Sequence, residues 1–260
     1  MWEKELEAMK EAALLAEKEI LKVYESPFEV EIKSDNSPVT MADKRADKII
    51  RDYLSERFPG YGFLTEESKD TAERLSKECV FIVDPVDGTK EFVSHNGEFT
   101  TNIALSYKGE VVVGLINVPT ERKMVYAIKG QGAYREKRGE KPERIHVSER
   151  LDPPFVALLS RSFSVEKEKA LLERHKEEIS SVLVLGAAMK FLAIAEGEAE
   201  MFYRFSGGTK EWDVAAGDII VTEAGGFMIK PDGTRYTYNK KDVYNHEGYV
   251  LLNRLENRLD

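Results

Sequence analysis

Val80-Phe81-Ile82-Val83-Asp84-Pro85-Val86-Asp87-Gly88-Thr89 starts as an unbroken apolar run and ends in two carboxylates, a proline and a glycine. The apolar run reads as a strand, and the spacing predicts a sharp turn at Pro85 with a new segment opening at Gly88. Two like charges three residues apart at a strand end repel unless something positive lies between them. A hard divalent cation such as Mg²⁺, which takes carboxylate, carbonyl and water oxygens, would serve. Asp, Pro and Gly also populate ordinary turns for backbone reasons alone, so the segment by itself admits both readings.

Three further acidic positions weigh towards a site. Glu66 and Glu67 follow an expected strand at Phe63-Leu64, and Asp213 stands after Trp212 at the start of an expected helix. Each lies at an element boundary, where functional groups concentrate. Helix capping is the structural alternative for Asp213. The same question attaches to Asp43, because Thr40-Met41-Ala42-Asp43 has the form of a capping box. Gly88-Thr89-Lys90 is expected to open a helical turn whose free amides would receive a phosphate. The Thr89 hydroxyl, close to both aspartates, is placed to orient a water for attack. No segment has the spacing of a calcium-binding EF-hand.

Outward from this segment the chain shows two patterns. Trp2, Leu6, Met9, Ala13, Ala16, Ile20 and Val23 recur in steps of four and three, the stripe of a core-facing helix. The alternating stretch 28–32 predicts a half-buried strand, and a polar loop, 33–38, follows. A second helix runs from the capping box to Pro59-Gly60. Short apolar runs separated by turns then predict antiparallel sheet, with a hairpin at Lys108-Gly109-Glu110. Beyond the proline-bearing stretch 139–154, where a boundary between units is expected, strands and helices alternate over 156–159, 165–179, 182–185, 187–195, 201–205 and 214–224.

The 260 residues, 42% of them apolar, suffice for a large core in one or two compact units. The formal charge of −9 comes from acidic and basic residues mixed throughout, with no basic stripe to neutralise a phosphate backbone, which argues against nucleic-acid polymers as partners. No apolar run approaches the length of a spanning helix, and Met1-Trp2-Glu3-Lys4-Glu5 leads straight into an amphipathic pattern, so a cytoplasmic protein without membrane contact is expected. Cys79 is the single cysteine, which excludes an intramolecular disulfide and a thiolate metal cluster; beside its apolar neighbours it reads as a small core residue.

Asp84-Pro85-Val86-Asp87-Gly88-Thr89 matches the Asp-Pro-(Ile/Leu/Val)-Asp-Gly-Thr signature of the inositol monophosphatase superfamily. Trp212-Asp213-Val214-Ala215-Ala216-Gly217 matches the second signature, with Thr65-Glu66-Glu67-Ser68 upstream. The chain resembles this lithium-sensitive, magnesium-dependent superfamily over nearly its whole length. Within it, Gly88-Thr89-Lys90-Glu91-Phe92, the stretch 96–105, Ser160-Arg161-Ser162 and the stretch 207–213 most resemble the 3'(2'),5'-bisphosphate nucleotidases, which hydrolyse 3'-phosphoadenosine 5'-phosphate. Two departures lie on the nucleotide side. Ala187 stands where these enzymes often have serine, and Phe163 follows Ser160-Arg161-Ser162 where a histidine is common.

The resemblance implies an α+β fold, the layered α-β-α-β-α sandwich of the sugar-phosphatase type. Residues 1–148 would pack helices on an antiparallel sheet and carry most metal ligands; residues 149–260 would form a mixed α/β unit carrying Asp213 and the substrate side. The resemblance further implies two to three Mg²⁺ ions: one held by Glu66, Asp84 and the carbonyl of Val86, another by Asp84, Asp87 and Asp213, and a third, weaker one near Asp43. Glu66, Thr89 and Asp43 would orient and activate water, and the amides of Gly88 and Thr89 would hold the scissile phosphate. Ser160, Lys190 and Arg204 would contact the nucleotide, with Lys33 in a loop near the metal site. The implied substrate is a small phosphorylated metabolite, 3'-phosphoadenosine 5'-phosphate, cleaved to AMP and phosphate. An inositol-1-monophosphatase or fructose-1,6-bisphosphatase would use the same site, and an inactive metal or nucleotide sensor is the alternative of another class. The family is often dimeric, so a homodimer is expected, with the apolar strand 111–118 as a candidate interface.

Overall fold

The computed structural model describes residues 1–32 and 38–259; Lys33 lies outside the described residues. Helix α1 (Glu3–Tyr24) buries Leu6, Met9, Ala13, Ala16, Ile20 and Val23, most of the stripe visible in the sequence. A short arm, β1 (Val30–Ile32) against β2 (Pro38–Thr40), leads to α2 (Met41–Arg57). β1 is exposed along its length and not half-buried, because this arm forms a two-stranded sheet of its own. Phe28, just before it, packs inwards against the rings of Phe92 and His95.

β3 (Gly62–Thr65), β4 (Cys79–Asp87), β5 (Thr100–Tyr107), β6 (Glu110–Val118), β7 (Lys123–Ile128), β8 (Gly132–Lys137) and β9 (Glu143–Ile145) stand side by side in chain order as a seven-stranded sheet, with the short helix α3 (Thr89–Val93) between β4 and β5. β3 and β4 run parallel; the other neighbours are antiparallel. Lys108 and Gly109, at φ 52° and 85°, make the two-residue turn between β5 and β6, whose twist suits a hairpin. β6 is a central strand buried on both faces, with Val111, Ile116 and Val118 in one core and Val112, Val113 and Leu115 in another. It leaves no face for a second subunit, which corrects the expectation of an interface at 111–118.

The second half supplies β10 (Phe155–Ser160), α4 (Glu166–Arg174), β11 (Ile179–Leu185), α5 (Met189–Ala195), β12 (Met201–Arg204), β13 (Thr209–Lys210), α6 (Glu211–Glu223), β14 (Phe227–Ile229), β15 (Tyr244–Asn245) and β16 (Tyr249–Leu252). Five of these strands form a mixed sheet in the order β11-β10-β12-β16-β14. The helix expected over 165–179 stops at Arg174, and Ile179 already begins β11. After Leu171 and Leu172 the segment offers only charged residues and His175 up to Ile179, so no apolar contact holds a further turn.

Alternation along β4 sorts these elements into layers. Phe81 and Val83 face α1 and α2, whereas Val80 and Ile82 face α5 and α6. α5 and α6 also meet one face of the five-stranded sheet at Phe202, Tyr249 and Leu251, while Phe155, Tyr203 and Val250 on its other face pack against Leu171 and Leu172 of α4. The order is the expected α-β-α-β-α sandwich. Each large apolar side chain buried between layers contributes about 1.5–3 kcal/mol. Two glycines set how closely α6 fits. A Cβ on Gly114 would stand 2.4 Å from Ile219, and one on Gly217 would stand 2.3 Å from the Phe191 ring. Their absence of side chain lets α6 lie between the seven-stranded sheet and α5, which carries Asp213 to the end of β4. Among the described residues no helix is long and apolar enough to cross a membrane.

Candidate active site

β4 does not turn at Pro85. It stays paired with β5 as far as Asp87, but Asp84 lies opposite Asn102 and Asp87 opposite Thr100, so β4 carries an extra residue. This β-bulge is held by the Thr101 hydroxyl, which donates to the Pro85 carbonyl at 2.9 Å. In a regular strand, residues three apart point to opposite faces. The bulge resets the alternation: Val86 joins Phe81 and Val83 on the α1/α2 side, and Asp84 and Asp87 both line one cavity. The sharp turn comes at Gly88, where φ is 88° and a Cβ would stand 2.9 Å from both the Glu98 carbonyl oxygen and Ala187.

That cavity, about 380 Å³ in volume, collects residues from distant parts of the chain: Glu66, Asp84, Val86, Asp87, Gly88, Thr89, Ser160, Lys190, Arg204 and Asp213 all line it. Glu66 arrives because the parallel register sets Thr65 beside Val83, and the Glu66 amide donates to the Val83 carbonyl at 3.2 Å. Glu67 is not among the lining residues. Asp213 occupies the third position of α6 and accepts the Lys210 amide at 2.6 Å. It therefore caps its helix and faces the cavity with the same side chain.

Burial and mutual repulsion shape the carboxylates. Burial, then the charges of Glu66, Asp87, Asp213 and Asp43, holds the Asp84 carboxyl well above its ordinary range. Asp87 is pushed up to about 6 by burial, although Lys190 and a 3.1 Å hydrogen bond from the Asn102 amide pull the other way. Asp213 is pushed up to about 8 by burial and by Asp87 and Glu66. Asp43, buried on α2, does not line the cavity itself but reaches it through Thr89. Its Oδ2 accepts the Thr40 amide at 2.8 Å and the Thr40 hydroxyl at 2.7 Å, and its Oδ1 faces the Thr89 hydroxyl at 3.2 Å. Asp43 thus caps α2 with one oxygen and meets Thr89 with the other.

The cationic side is equally buried. Lys190 donates to the Ala187 carbonyl. Its ammonium is drawn down to about 8 by burial, with Arg204 reinforcing and Asp87 opposing. The Nε of Arg204 is buried and donates to nothing among the described residues. Phe163, the departure noted in the sequence, lines the cavity with the Lys90 ammonium 4.2 Å from its ring centre and the Arg204 guanidinium 5.3 Å away, an aromatic ring flanked by cations. Lys90, Glu91, Lys210, Trp212 and Tyr249 also line the cavity without having been given a place in the site from the sequence. All but Tyr249 stand inside the motif stretches; Tyr249 lies on β16 and carries no local signal.

The acidic residues suit a cation on two observations. Oδ1 of Asp84 is buried and accepts no hydrogen bond among the described residues, and the surrounding carboxylates oppose one another's ionisation. Among the described residues no three Asp, Glu, His or Cys side chains already stand as a closed ligand set. Mg²⁺ keeps several waters, with carbonyls also entering its shell, so carboxylates that line one cavity without yet converging on a point can still share in holding it.

Residues 1–258 match the inositol monophosphatase family. The 3'(2'),5'-bisphosphate nucleotidase CysQ of Salmonella typhimurium is 36% identical over 233 residues, 88% of this chain and 92% of its own length. The protein of the same name from Buchnera aphidicola is 36% identical over 92% of this chain and 89% of its own. Among solved structures, CysQ from Bacteroides thetaiotaomicron, described as a bacterial member of the inositol monophosphatase family, superposes with a TM-score of 0.84 at 33% identity, covering 98% of this chain and 99% of that one. The extragenic suppressor protein suhB from Bartonella henselae superposes with a TM-score of 0.81 at 29% identity, covering 95% of this chain and 92% of that one. The bulged Asp84–Asp87 strand end, the layered sandwich and these matches agree: the chain belongs to the inositol monophosphatase family and is a phosphoric monoester hydrolase.

Proposed function

We propose that this chain is a Mg²⁺-dependent 3'(2'),5'-bisphosphate nucleotidase that converts 3'-phosphoadenosine 5'-phosphate to AMP and phosphate. One observation carries the reading: a single cavity joins mutually repelling carboxylates, Asp84 buried and Glu66, Asp87 and Asp213 half-buried, to the buried pair Lys190 and Arg204, with Phe163, Trp212 and Tyr249 beside them. A substrate with one phosphate uses only part of such a cavity. A nucleotide with two phosphates and an aromatic base would match its cationic and aromatic parts as well. The name borne by the relatives from Salmonella and Buchnera supports the same choice.

Glu66, Asp84 and the Val86 carbonyl would hold one ion, and Asp84, Asp87 and Asp213 another, with a third near Asp43. Bound Mg²⁺ would neutralise charge on the phosphoryl oxygens and lower the pKa of the attacking water. The Val86 carbonyl lies 3.3 Å from the Thr89 hydroxyl and has a second lone pair to offer. Thr89 donates its proton towards Asp43, which turns an oxygen lone pair to the cavity as an acceptor for water. Glu66 orients the same water from the cavity wall. The amides of Gly88 and Thr89 hold the reacting phosphate, while Lys190, Arg204 and Ser160 hold the rest of the nucleotide. Positioning and electrostatic stabilisation are the main demands of phosphoryl transfer, and these groups meet them.

The test compares phosphate release from 3'-phosphoadenosine 5'-phosphate, inositol 1-phosphate and fructose 1,6-bisphosphate at equal Mg²⁺. The nucleotide is expected to have the highest kcat/KM; a preference for either sugar phosphate replaces this reading with that of a sugar phosphatase.

A further inference from the structure

Asn239 and Lys240 are gripped from two directions. Glu211, the fully buried first residue of α6, accepts the Asn239 amide at 2.6 Å on one oxygen and the Lys240 amide at 2.8 Å on the other. Asn239 has φ 57°, the left-handed conformation that asparagine tolerates, and consecutive amides near such a turn form a concave receptor for an anion. From the other side Arg74, 2% exposed, donates to the Asn239 side-chain oxygen at 2.6 Å and to the Lys240 carbonyl at 2.9 Å. Asn239 returns a bond from Nδ2 to the Arg74 carbonyl at 3.2 Å. Asp70 holds the guanidinium at 2.7 and 2.8 Å.

The places joined by this knot are the ones that matter to the site. Arg74 lies in the segment that leaves β3 just after Glu66, and it packs on that strand so closely that a Cβ on Gly62 would stand 3.2 Å from its Cα. Asp213 lies in the helical turn that Glu211 begins. We propose that Arg74, Asn239 and Glu211 are positioning residues that fix Glu66 relative to Asp213, and thereby set the affinity for Mg²⁺. This rests on the reading of those two carboxylates as ligands. Burying a guanidinium and a carboxylate carries a desolvation cost that apolar packing would avoid, so the pair favours geometric definition over stability. Groups hydrogen-bonded directly to a ligand typically change metal affinity by about 10- to 100-fold when removed; these three act one step further out, through the backbone that carries the ligands, so the lower end of that range is expected.

The experiment titrates the metal-free protein with Mg²⁺ by calorimetry and by the rise in Tm, for wild type, Asn239→Gly, Arg74→Lys and Glu211→Gln. Asn239→Gly keeps the left-handed backbone and deletes only the side chain that Arg74 holds. Each variant that gives a native circular dichroism spectrum is expected to bind Mg²⁺ about tenfold more weakly. The Mg²⁺ concentration for half-maximal phosphate release should rise by the same factor, with little change in the KM for nucleotide at saturating Mg²⁺. Folded Asn239→Gly and Arg74→Lys proteins with wild-type Mg²⁺ affinity overturn the inference, and Asn239→Gly alone decides it if the charged-residue variants do not fold. Wild-type protein that binds no Mg²⁺ strikes at the metal reading instead, so the two failures are distinguishable.

Discussion

The hydroxyl of Thr89 lies 3.2 Å from Oδ1 of Asp43, whose other oxygen closes the capping box of α2 through Thr40. Helix capping therefore does more than close off a helix: it fixes the orientation of the carboxylate that accepts from the Thr89 hydroxyl. In Asp43→Asn the amide oxygen can still accept from Thr40, but the NH₂ group turned to Thr89 can no longer accept its proton. Stability should change by less than about 1 kcal/mol, whereas kcat should fall by about 10²- to 10⁴-fold. Thr89→Val should match that loss. Steady-state kinetics beside thermal melts check both, and near-wild-type turnover in Asp43→Asn would remove the dyad from the mechanism.

Asp213 makes stability depend on pH and on metal. Its folded pKa, about 8, exceeds the ordinary 3.8, first through burial and then through Asp87 and Glu66. The folded state then holds a proton that the unfolded state has lost, so stability falls as pH rises between these two values. Melts in EDTA should show Tm declining over that range and added Mg²⁺ reversing the decline. Asp213→Asn should raise the Tm of the metal-free protein at pH 8 by a few degrees, since about 1 kcal/mol corresponds to roughly 2–4 °C at this size. It should also blunt the Mg²⁺ response and abolish turnover. A flat Tm in EDTA across the range contradicts this account.

Much of this site is legible because its parts are local motifs. Asp84, Asp87, Gly88 and Thr89 sit within one signature and Trp212-Asp213 within another, and the helical stripe of α1 follows from simple periodicity. The bulge does not follow from them. A proline after Asp84 reads as a turn, and only the pairing with Asn102 and Thr100 reveals one extra residue in a continuing strand. The exposure of β1 and the burial of β6 depend on what each sheet is covered by, which alternation within a strand does not encode. Arg74 and Asn239 escape for a similar reason: their bonds join residues 165 positions apart, and each looks like an ordinary surface polar residue.

Lys190 and Arg204 should separate substrates by their second anionic group. Both line the cavity, both are buried, and the Nε of Arg204 has no acceptor among the described residues. A charged hydrogen bond to phosphate lost from such a place is worth about 1.5–3 kcal/mol, equivalent to roughly 10- to 100-fold in affinity. Lys190→Met and Arg204→Leu are expected to raise the KM for 3'-phosphoadenosine 5'-phosphate by that factor while changing kcat/KM for a simple monophosphate such as inositol 1-phosphate far less. Equal losses on both substrates would assign these cations to the reacting phosphate.

The seating of α6 on β6 should couple packing to metal binding. A Cβ at Gly114 would meet Ile219 at 2.4 Å and the Ala216 carbonyl at 2.7 Å, and backbone cannot yield as a flexible side chain does. Gly114→Ala must therefore lift α6 from the sheet, at a cost of about 1–3 kcal/mol. The helix carries Asp213 while Asp84 and Asp87 stay on β4, so the same displacement separates the acidic residues. Gly60→Ala, where a Cβ meets nothing within 4 Å, is the control and should lie within about 0.5 kcal/mol of wild type. Chemical denaturation and Mg²⁺ titration of the three proteins should show Gly114→Ala losing both stability and Mg²⁺ affinity. Loss of stability with unchanged Mg²⁺ affinity would mean that the start of α6 is held by contacts around Asp213 rather than by the fit of the helix against Gly114.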